Sequence, residues 1–193
     1  ISETKRKLRN LIQADADAAV IFAPSVTIAM NQIVNGLKLR NGAVVYVSPY
    51  EHNAVARTLY YLAKRKNIHL REIPMDDATG EIEIDKLSYI FCKEAPAAVF
   101  CTHISNVTGY ILPVDEIFSE SKRYGSVNVL DMAQSLGLIE YDVRKNKGTD
   151  IIAFAGHKSL YGPFGVGGFI NVAHVPLNDF IVGGTGSDSL NLE

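Results

Sequence analysis

Cysteine is scarce in this sequence, and neither sign of charge is in large excess. Two cysteines, Cys92 and Cys101, are too few for a disulfide framework, which favours a reducing compartment. The formal net charge of -2 gives no basic field for nucleic acid or for an anionic membrane surface. No apolar run reaches the length of a transmembrane helix, and ISETKRKLRN lacks the apolar centre of a signal peptide. We therefore expect a soluble, cytoplasmic protein.

The hydrophobic content is high enough for one domain with a sizeable core. Hydrophobic residues make up 47% of the chain, and no repeat, low-complexity tract or linker divides it. The sequence begins at Ile1 rather than Met, and it stops at GTGSDSLNLE without a closing element. We therefore expect a single domain over residues 1–193 that is part of a longer protein.

Helical and strand-like segments alternate along the chain. Helical spacing or punctuation is found at residues 3–13, 27–37, 53–66, 84–91 and 113–125, and short apolar or alternating runs at 18–23, 42–49, 68–75, 97–104, 126–132, 150–156 and 166–172. This alternation predicts a three-layer α/β/α fold whose mostly parallel sheet is covered on both faces. Such sheets bind ligands beyond the carboxyl ends of their strands, so the candidate site lies there.

The residues that directly follow the predicted strands form a short set. They are Ser25, Val26, Thr27, His52, His103, Ser105, Asn106, Asp131, Gln134, His157 and Lys158. Taken singly, each has an ordinary structural explanation. Thr27 and Asp131 could cap helices, and Asn106 could occupy a turn. His52 could be a surface residue at a helix start, and Lys158 could point into solvent.

Taken together, these residues fit a pyridoxal phosphate site. A lysine such as Lys158 that forms a Schiff base needs a partly desolvated pocket and an aldehyde partner. A carboxylate such as Asp131 keeps the pyridine nitrogen protonated, and a helix start such as residues 25–27 binds phosphate through backbone N–H groups. An amide on the phenolate oxygen and an imidazole on the ring are roles open to Asn106, Gln134 and His52. We expect pyridoxal phosphate as the cofactor and no metal.

Four ordered blocks also resemble a known family. THISNVTGYILPVDEI, VLDMAQSLGLIEYDV, AFAGHKSLYGPFGVGGFI and GGTGSDS are similar to fold-type I, class V aminotransferase-like enzymes, nearest to cysteine desulfurases and selenocysteine lyases. The likeness runs from Ile21 to Ser189. It implies that residues 1–193 are the cofactor-binding large domain of a cysteine desulfurase, which converts cysteine to alanine and an enzyme-bound persulfide. A smaller C-terminal domain would be absent.

The resemblance also implies a role for each matching residue. Lys158 would form the Schiff base, Asp131 would pair with the pyridine nitrogen, and His52 would stack on the ring; these three are the expected catalytic residues. The expected cofactor contacts are Ser25, Val26, Thr27, His52, Asn106, Asp131, Gln134, His157, Lys158 and Thr185. In this family the segment around Thr185 reaches the phosphate of the neighbouring subunit, which implies a homodimer.

The sequence departs from the family pattern in three respects. Gly-Ala-Thr-Glu is usual where this chain has Ser-Val-Thr-Ile at residues 25–28, and a serine often stands at the position of Ala155. The cysteine nucleophile and the arginine that binds the substrate carboxylate belong to the absent C-terminal part. Neither Cys92 nor Cys101 lies where that nucleophile belongs, and both are interpreted as core residues. We therefore expect the chain alone to be inactive.

Other interpretations remain open at this stage. A class V aminotransferase or another pyridoxal phosphate-dependent lyase would use the same residues, and a fragment that only binds the cofactor is a third alternative. Cysteine is the expected substrate and a sulfur-acceptor protein an expected partner, with no role for nucleic acid or membrane. Residues 162–168, GPFGVGG, could suggest a nucleotide-binding loop, but they precede a strand rather than a helix.

Overall fold

The computed structural model describes residues 1–181 as one α/β unit. Its helices are α1 (Ser2–Leu11), α2 (Val26–Gly36), α3 (Asn53–Arg65), α4 (Ile84–Lys93) and α5 (Val114–Lys122). Its strands are β1 (Ala19–Ala23), β2 (Ala43–Val47), β3 (Ile68–Glu72), β4 (Pro96–Thr102), β5 (Val127–Asp131), β6 (Ile151–Ala155) and β7 (Gly167–Asn171). Each element overlaps a predicted segment. No helix within the described residues is long and apolar enough to span a membrane.

The seven strands form one sheet in the order β1-β7-β6-β5-β4-β2-β3. Strand β7 is antiparallel to both of its neighbours, β1 and β6, and the other pairs are parallel. All strands except β7 therefore run in the same direction. As a result, the carboxyl ends of β1, β2, β4, β5 and β6 meet at one edge, as the strand–helix alternation predicts.

Helices cover both faces of the sheet, which confirms the three-layer prediction. On one face, α2 and α3 bury residues such as Met30 and Leu59 in one apolar cluster. On the other face, α1, α4 and α5 contribute Leu8, Phe91 and Phe118 to a second cluster. The strands between them carry apolar residues on both faces, as expected for a parallel sheet in the middle layer.

Two local predictions are wrong. Ser25, rather than Thr27, caps α2: its backbone is extended, and its Oγ accepts a hydrogen bond from the Ile28 N–H at 3.2 Å. Cys92 is exposed, not part of the core. It follows the buried Phe91 on α4, and successive side chains on a helix point about 100° apart, so Cys92 faces away from the sheet. Cys101 is buried in β4, as predicted.

Residues 162–168 lead into β7, so the glycine-rich segment joins two strands of the sheet. Gly167 is needed there because the backbone of the α2 start packs directly on it. A Cβ atom at this position would lie 2.8 Å from both Ser25 C and Val26 N. The absence of a side chain at Gly167 thus lets the start of α2 approach the sheet.

A partly buried ion pair lies at the amino ends of β5 and β6, away from the carboxyl edge. The Lys122 ammonium lies 2.7 Å from Oδ1 and 2.6 Å from Oδ2 of Asp150. The same Asp150 carboxylate accepts a hydrogen bond from the buried Asn128 N–H at 2.7 Å. Since α5 carries Lys122, this pair also fixes the helix to the sheet.

Candidate active site

The register of the sheet aligns residues at the carboxyl ends of its central strands. Asp131, the last residue of β5, pairs with Thr102 of β4 and with Ala153 of β6. Its carboxylate is buried, and Oδ1 accepts a hydrogen bond from the Ala133 N–H at 2.9 Å. Burial raises the pKa of Asp131, whereas the Ala133 amide and the charge of Lys158 act in the opposite direction. Asp131 and Lys158 are therefore close enough to interact electrostatically.

Lys158 lies in the turn that follows β6. Its side chain is partly buried, and its amine forms no ion pair with any described residue. The preceding His157 stacks on Phe164, with ring centroids 4.8 Å apart and planes 28° apart. His157 Nδ1 is buried without a hydrogen-bond partner among the described residues. A buried polar atom of this kind is costly unless a ligand satisfies it.

The start of α2 lies at the same edge as this turn. Gly167 of β7 pairs with Ala23 at the end of β1 and with Ala155 at the end of β6, so the three residues form one row. Beyond Ala23, the first helical residues Val26 and Thr27 have backbone N–H groups with no acceptor inside the helix. Such a helix start attracts a phosphate through these N–H groups and through the helix dipole.

His52 is the N-cap of α3 and lies beyond the end of β2. Its Nδ1 accepts a hydrogen bond from the Ala54 N–H at 3.1 Å. A ring nitrogen that accepts a hydrogen bond carries no proton, so this contact favours the neutral tautomer with the proton on Nε2. The charged form of His52 would lower the pKa of Asp131, which indicates that the two side chains are neighbours.

The neighbouring Glu51 belongs to the same site, although the sequence analysis did not select it. Its Oε1 accepts hydrogen bonds from the Ser48 hydroxyl at 2.6 Å and from the Thr102 N–H. Its Oε2 is buried without a partner among the described residues. Burial raises the pKa of Glu51 to about 8, and the Asp131 carboxylate adds to the effect. The available signal was a carboxylate directly before His52 in a strand-end loop.

The two predicted amides lie at the same edge without fixed contacts. Asn106 is exposed in the turn after β4. In the same turn, Ser105 Oγ accepts hydrogen bonds from the backbone N–H groups of Val107 and Thr108. Gln134 is partly buried in the turn after β5. Neither side chain forms a hydrogen bond with a described residue, so both are available to a ligand. Thr185 lies outside the described residues.

These residues fit the cofactor that the sequence predicts. The buried Asp131 carboxylate suits a protonated ring nitrogen, and the Lys158 amine suits an aldehyde. The orphan His157 Nδ1 and the helix start at Val26 suit a phosphate. No group of three or more His, Cys, Asp or Glu side chains that could hold a metal ion is found within residues 1–181.

Comparisons with known proteins agree with this fold. The family model for aminotransferase class-V matches residues 1–190. A probable cysteine desulfurase from Pyrococcus abyssi is 33% identical over 96% of this chain and 46% of its own length. The apo structure of a cysteine desulfurase from Thermococcus onnurineus superposes with a TM-score of 0.82 and 28% identity, covering 95% of this chain and 46% of that one.

A second solved structure supports the fold. The cysteine desulfurase CsdA from Escherichia coli has a TM-score of 0.85 and 23% identity, again over 95% of this chain and 46% of that one. The present chain therefore spans less than half the length of the relatives it matches.

Proposed function

Because this chain belongs to the aminotransferase class-V family, we propose that it is the cofactor-binding large domain of a cysteine desulfurase. The observation that carries the proposal is the meeting of Lys158, Asp131 and His52 at one edge of the sheet. In this proposal the domain extends over residues 1–193, and the complete protein contains a further C-terminal part. Cysteine is its substrate, as the names of the relatives suggest.

The proposed cofactor is pyridoxal phosphate. When bound, it would supply an aldehyde for the substrate amine and a protonated ring that withdraws electrons from the α-carbon. Lys158 would hold the aldehyde carbon through its Nζ, and Asp131 would face the ring nitrogen. His52 would lie against the ring, and the amides of Asn106 and Gln134 would reach its phenolate oxygen.

The phosphate would bind at the row formed by β1, β7 and β6. The N–H groups of Val26 and Thr27 would donate hydrogen bonds to it, as would the Ser25 hydroxyl and the imidazole of His157. In the complete enzyme Thr185 of a second subunit would add a further contact. This contact would require a homodimer, which we propose for the complete protein, and we also propose that it is cytoplasmic. The contacts described above all lie within one chain.

Lys158 would also act as a base. Its free Nζ would take the proton from the substrate α-carbon, while Asp131 holds the proton on the ring nitrogen. A class V aminotransferase would use the same residues, so the products decide between the two activities.

The sulfur must leave on a thiolate that this domain does not provide. Cys101 is buried in β4, and burial raises the pKa of its thiol well above the ordinary value. Cys92 is exposed, but it lies on the outer side of α4, away from the carboxyl edge. We therefore propose that the nucleophilic cysteine lies in the remainder of the protein, and that a sulfur-acceptor protein removes the sulfur. The chain alone would bind the cofactor without desulfurase turnover.

The test is an absorption titration of the purified chain with pyridoxal phosphate, followed by borohydride reduction and peptide mass mapping. The expected result is a yellow band and a pyridoxyl adduct confined to Lys158. The Lys158→Ala variant should lose the adduct, whereas Lys66→Ala, a change of an exposed lysine, should keep it. An adduct scattered over surface lysines would contradict the proposed site. In the complete protein, production of alanine and persulfide rather than a keto acid would distinguish a desulfurase from an aminotransferase.

A further inference from the structure

Glu51 is a buried carboxyl group for which the proposed chemistry has no task. It lies in the loop between β2 and α3, directly before His52. Its Oε1 connects two segments, because it accepts hydrogen bonds from Ser48 in its own loop and from the Thr102 N–H at the end of β4. Thr102 is the residue that pairs with Asp131 in the sheet. Glu51 thus directly precedes His52 and contacts the sheet neighbour of Asp131, and both of these residues are proposed cofactor contacts.

The charges around Glu51 are unevenly distributed. Asp131 on β5 faces it, and Cys101 on β4 is close enough for Glu51 to raise the pKa of the thiol. The two cations of the site, Lys158 and His52 when protonated, act on Asp131 and lower its pKa. Glu51 has no cation of its own in the described part of the chain.

The second oxygen of Glu51 indicates its protonation state. Oε2 is buried, and no donor among the described residues reaches it. An ionised oxygen in this setting would lose its hydration without replacement, whereas the neutral acid loses much less. Two carboxylates in one buried site also repel each other, so one of them keeps its proton. Burial raises the pKa of both carboxyl groups, but only Asp131 has Lys158 and His52 nearby, so the proton is favoured on Glu51 over Asp131.

We propose that Glu51 is a positioning residue of the cofactor site: as an uncharged acid, it ties the loop of His52 to the end of β4 and leaves the negative charge of the site on Asp131. This inference rests on the proposed function, since His52 and Asp131 are cofactor contacts only there. Loss of the tie would free His52 to move off the ring. Ionisation of Glu51 would place a second negative charge behind Asp131 and make the ring nitrogen harder to deprotonate.

Two substitutions separate the effect of the neutral charge of Glu51 from the effect of its hydrogen bonds to Ser48 and Thr102. Glu51→Gln retains an oxygen that accepts from Ser48 and Thr102, and it is neutral at every pH. Glu51→Asp retains the acid but is one methylene shorter, so it cannot reach both partners. Far-ultraviolet circular dichroism establishes that each variant is folded. Cofactor binding is then measured by the visible band, and protonation by the infrared difference between wild type and Glu51→Gln without cofactor.

The expected results differ between the two variants. Glu51→Gln should bind pyridoxal phosphate within about twofold of wild type, whereas Glu51→Asp should bind about tenfold more weakly because a buried hydrogen bond is lost. The visible band of the wild type should change as the pH rises through about 8, and this change should be absent from Glu51→Gln. The infrared difference should show a protonated carboxylic acid at neutral pH.

Opposite results would overturn the inference. If the infrared difference shows Glu51 as a carboxylate rather than an acid at neutral pH, that result alone refutes the inference, with or without cofactor. Weakening of cofactor binding by Glu51→Gln as large as that by Glu51→Asp would show that a neutral side chain with an acceptor oxygen at this position is not sufficient. A wild-type chain that acquires no visible band would refute the proposed function instead, and the infrared measurement would still decide the protonation of Glu51.

Discussion

The buried Glu51 makes a clear prediction about stability and pH. Its pKa is about 8 in the folded chain, against an ordinary value of 4.5 when the chain is unfolded. Between these values the folded state holds a proton that the unfolded state releases. The stabilisation is therefore complete below about pH 4.5 and is lost as the pH rises through about 8. Glu51→Gln has no such proton, so its stability should not show this loss.

The size of the effect follows from the two pKa values. At pH 7 the unfolded side chain is almost fully ionised, whereas the folded one is still mostly protonated. The free energy of unfolding therefore falls by about 1.4 kcal/mol for each pH unit between about 4.5 and 7, which gives a total of about 3 kcal/mol. Since small domains unfold with about 5–15 kcal/mol, this is a large share of their stability.

Urea unfolding of the cofactor-free chain at several pH values measures this loss. The wild type should become less stable with rising pH relative to Glu51→Gln, by about 3 kcal/mol between about pH 4.5 and 7. Glu72→Gln, which changes an exposed carboxylate on β3, is the matched control and should follow the wild type. Parallel curves for wild type and Glu51→Gln would mean that Glu51 is ionised and hydrated in the folded chain, and the reasoning would be refuted.

Three further changes probe the rest of the molecule. Asp150→Ala should cost about 2–4 kcal/mol in urea unfolding, because the buried Asn128 N–H loses its acceptor and the partly buried Lys122 ammonium loses its counter-charge. Asp150→Asn, which removes the charge but still accepts from Asn128, should cost less, and an equal loss would contradict a contribution from the Asn128 hydrogen bond. Gly167→Ala should weaken phosphate binding and cost about 1–3 kcal/mol, since its Cβ would meet the start of α2; unchanged pyridoxal phosphate affinity would argue against a phosphate at that helix. Ala155→Ser adds a hydroxyl at the end of β6 that could bind the phosphate, and it should tighten cofactor binding severalfold in the absorption titration. An unchanged affinity would contradict a phosphate contact at residue 155.

The parts of the site that the sequence predicts are those in which one strand and the residue after it suffice. The apolar runs before Asp131 and Lys158 indicate buried strands, and a parallel sheet brings their ends together. Glu51 could not be found in this way, because its role depends on the Thr102 N–H, about 50 residues away, and on the pairing of β4 with β5. The exposure of Cys92 depends on the rotation of α4 about its axis, and the capping by Ser25 depends on the residue at which α2 begins. Apolar spacing fixes both only approximately.

The pairing of β1 with β7 has a consequence for how the chain folds. Ala19 pairs with Asn171, so a strand near one end of the described chain waits for one near the other end. Contacts between such distant segments close large loops and form late in folding. The start of α2, which packs on Gly167 of β7, therefore cannot reach its final position before β7 has been made. A nascent chain that stops short of β7 leaves both β1 and β6 as open sheet edges, which can pair with other chains.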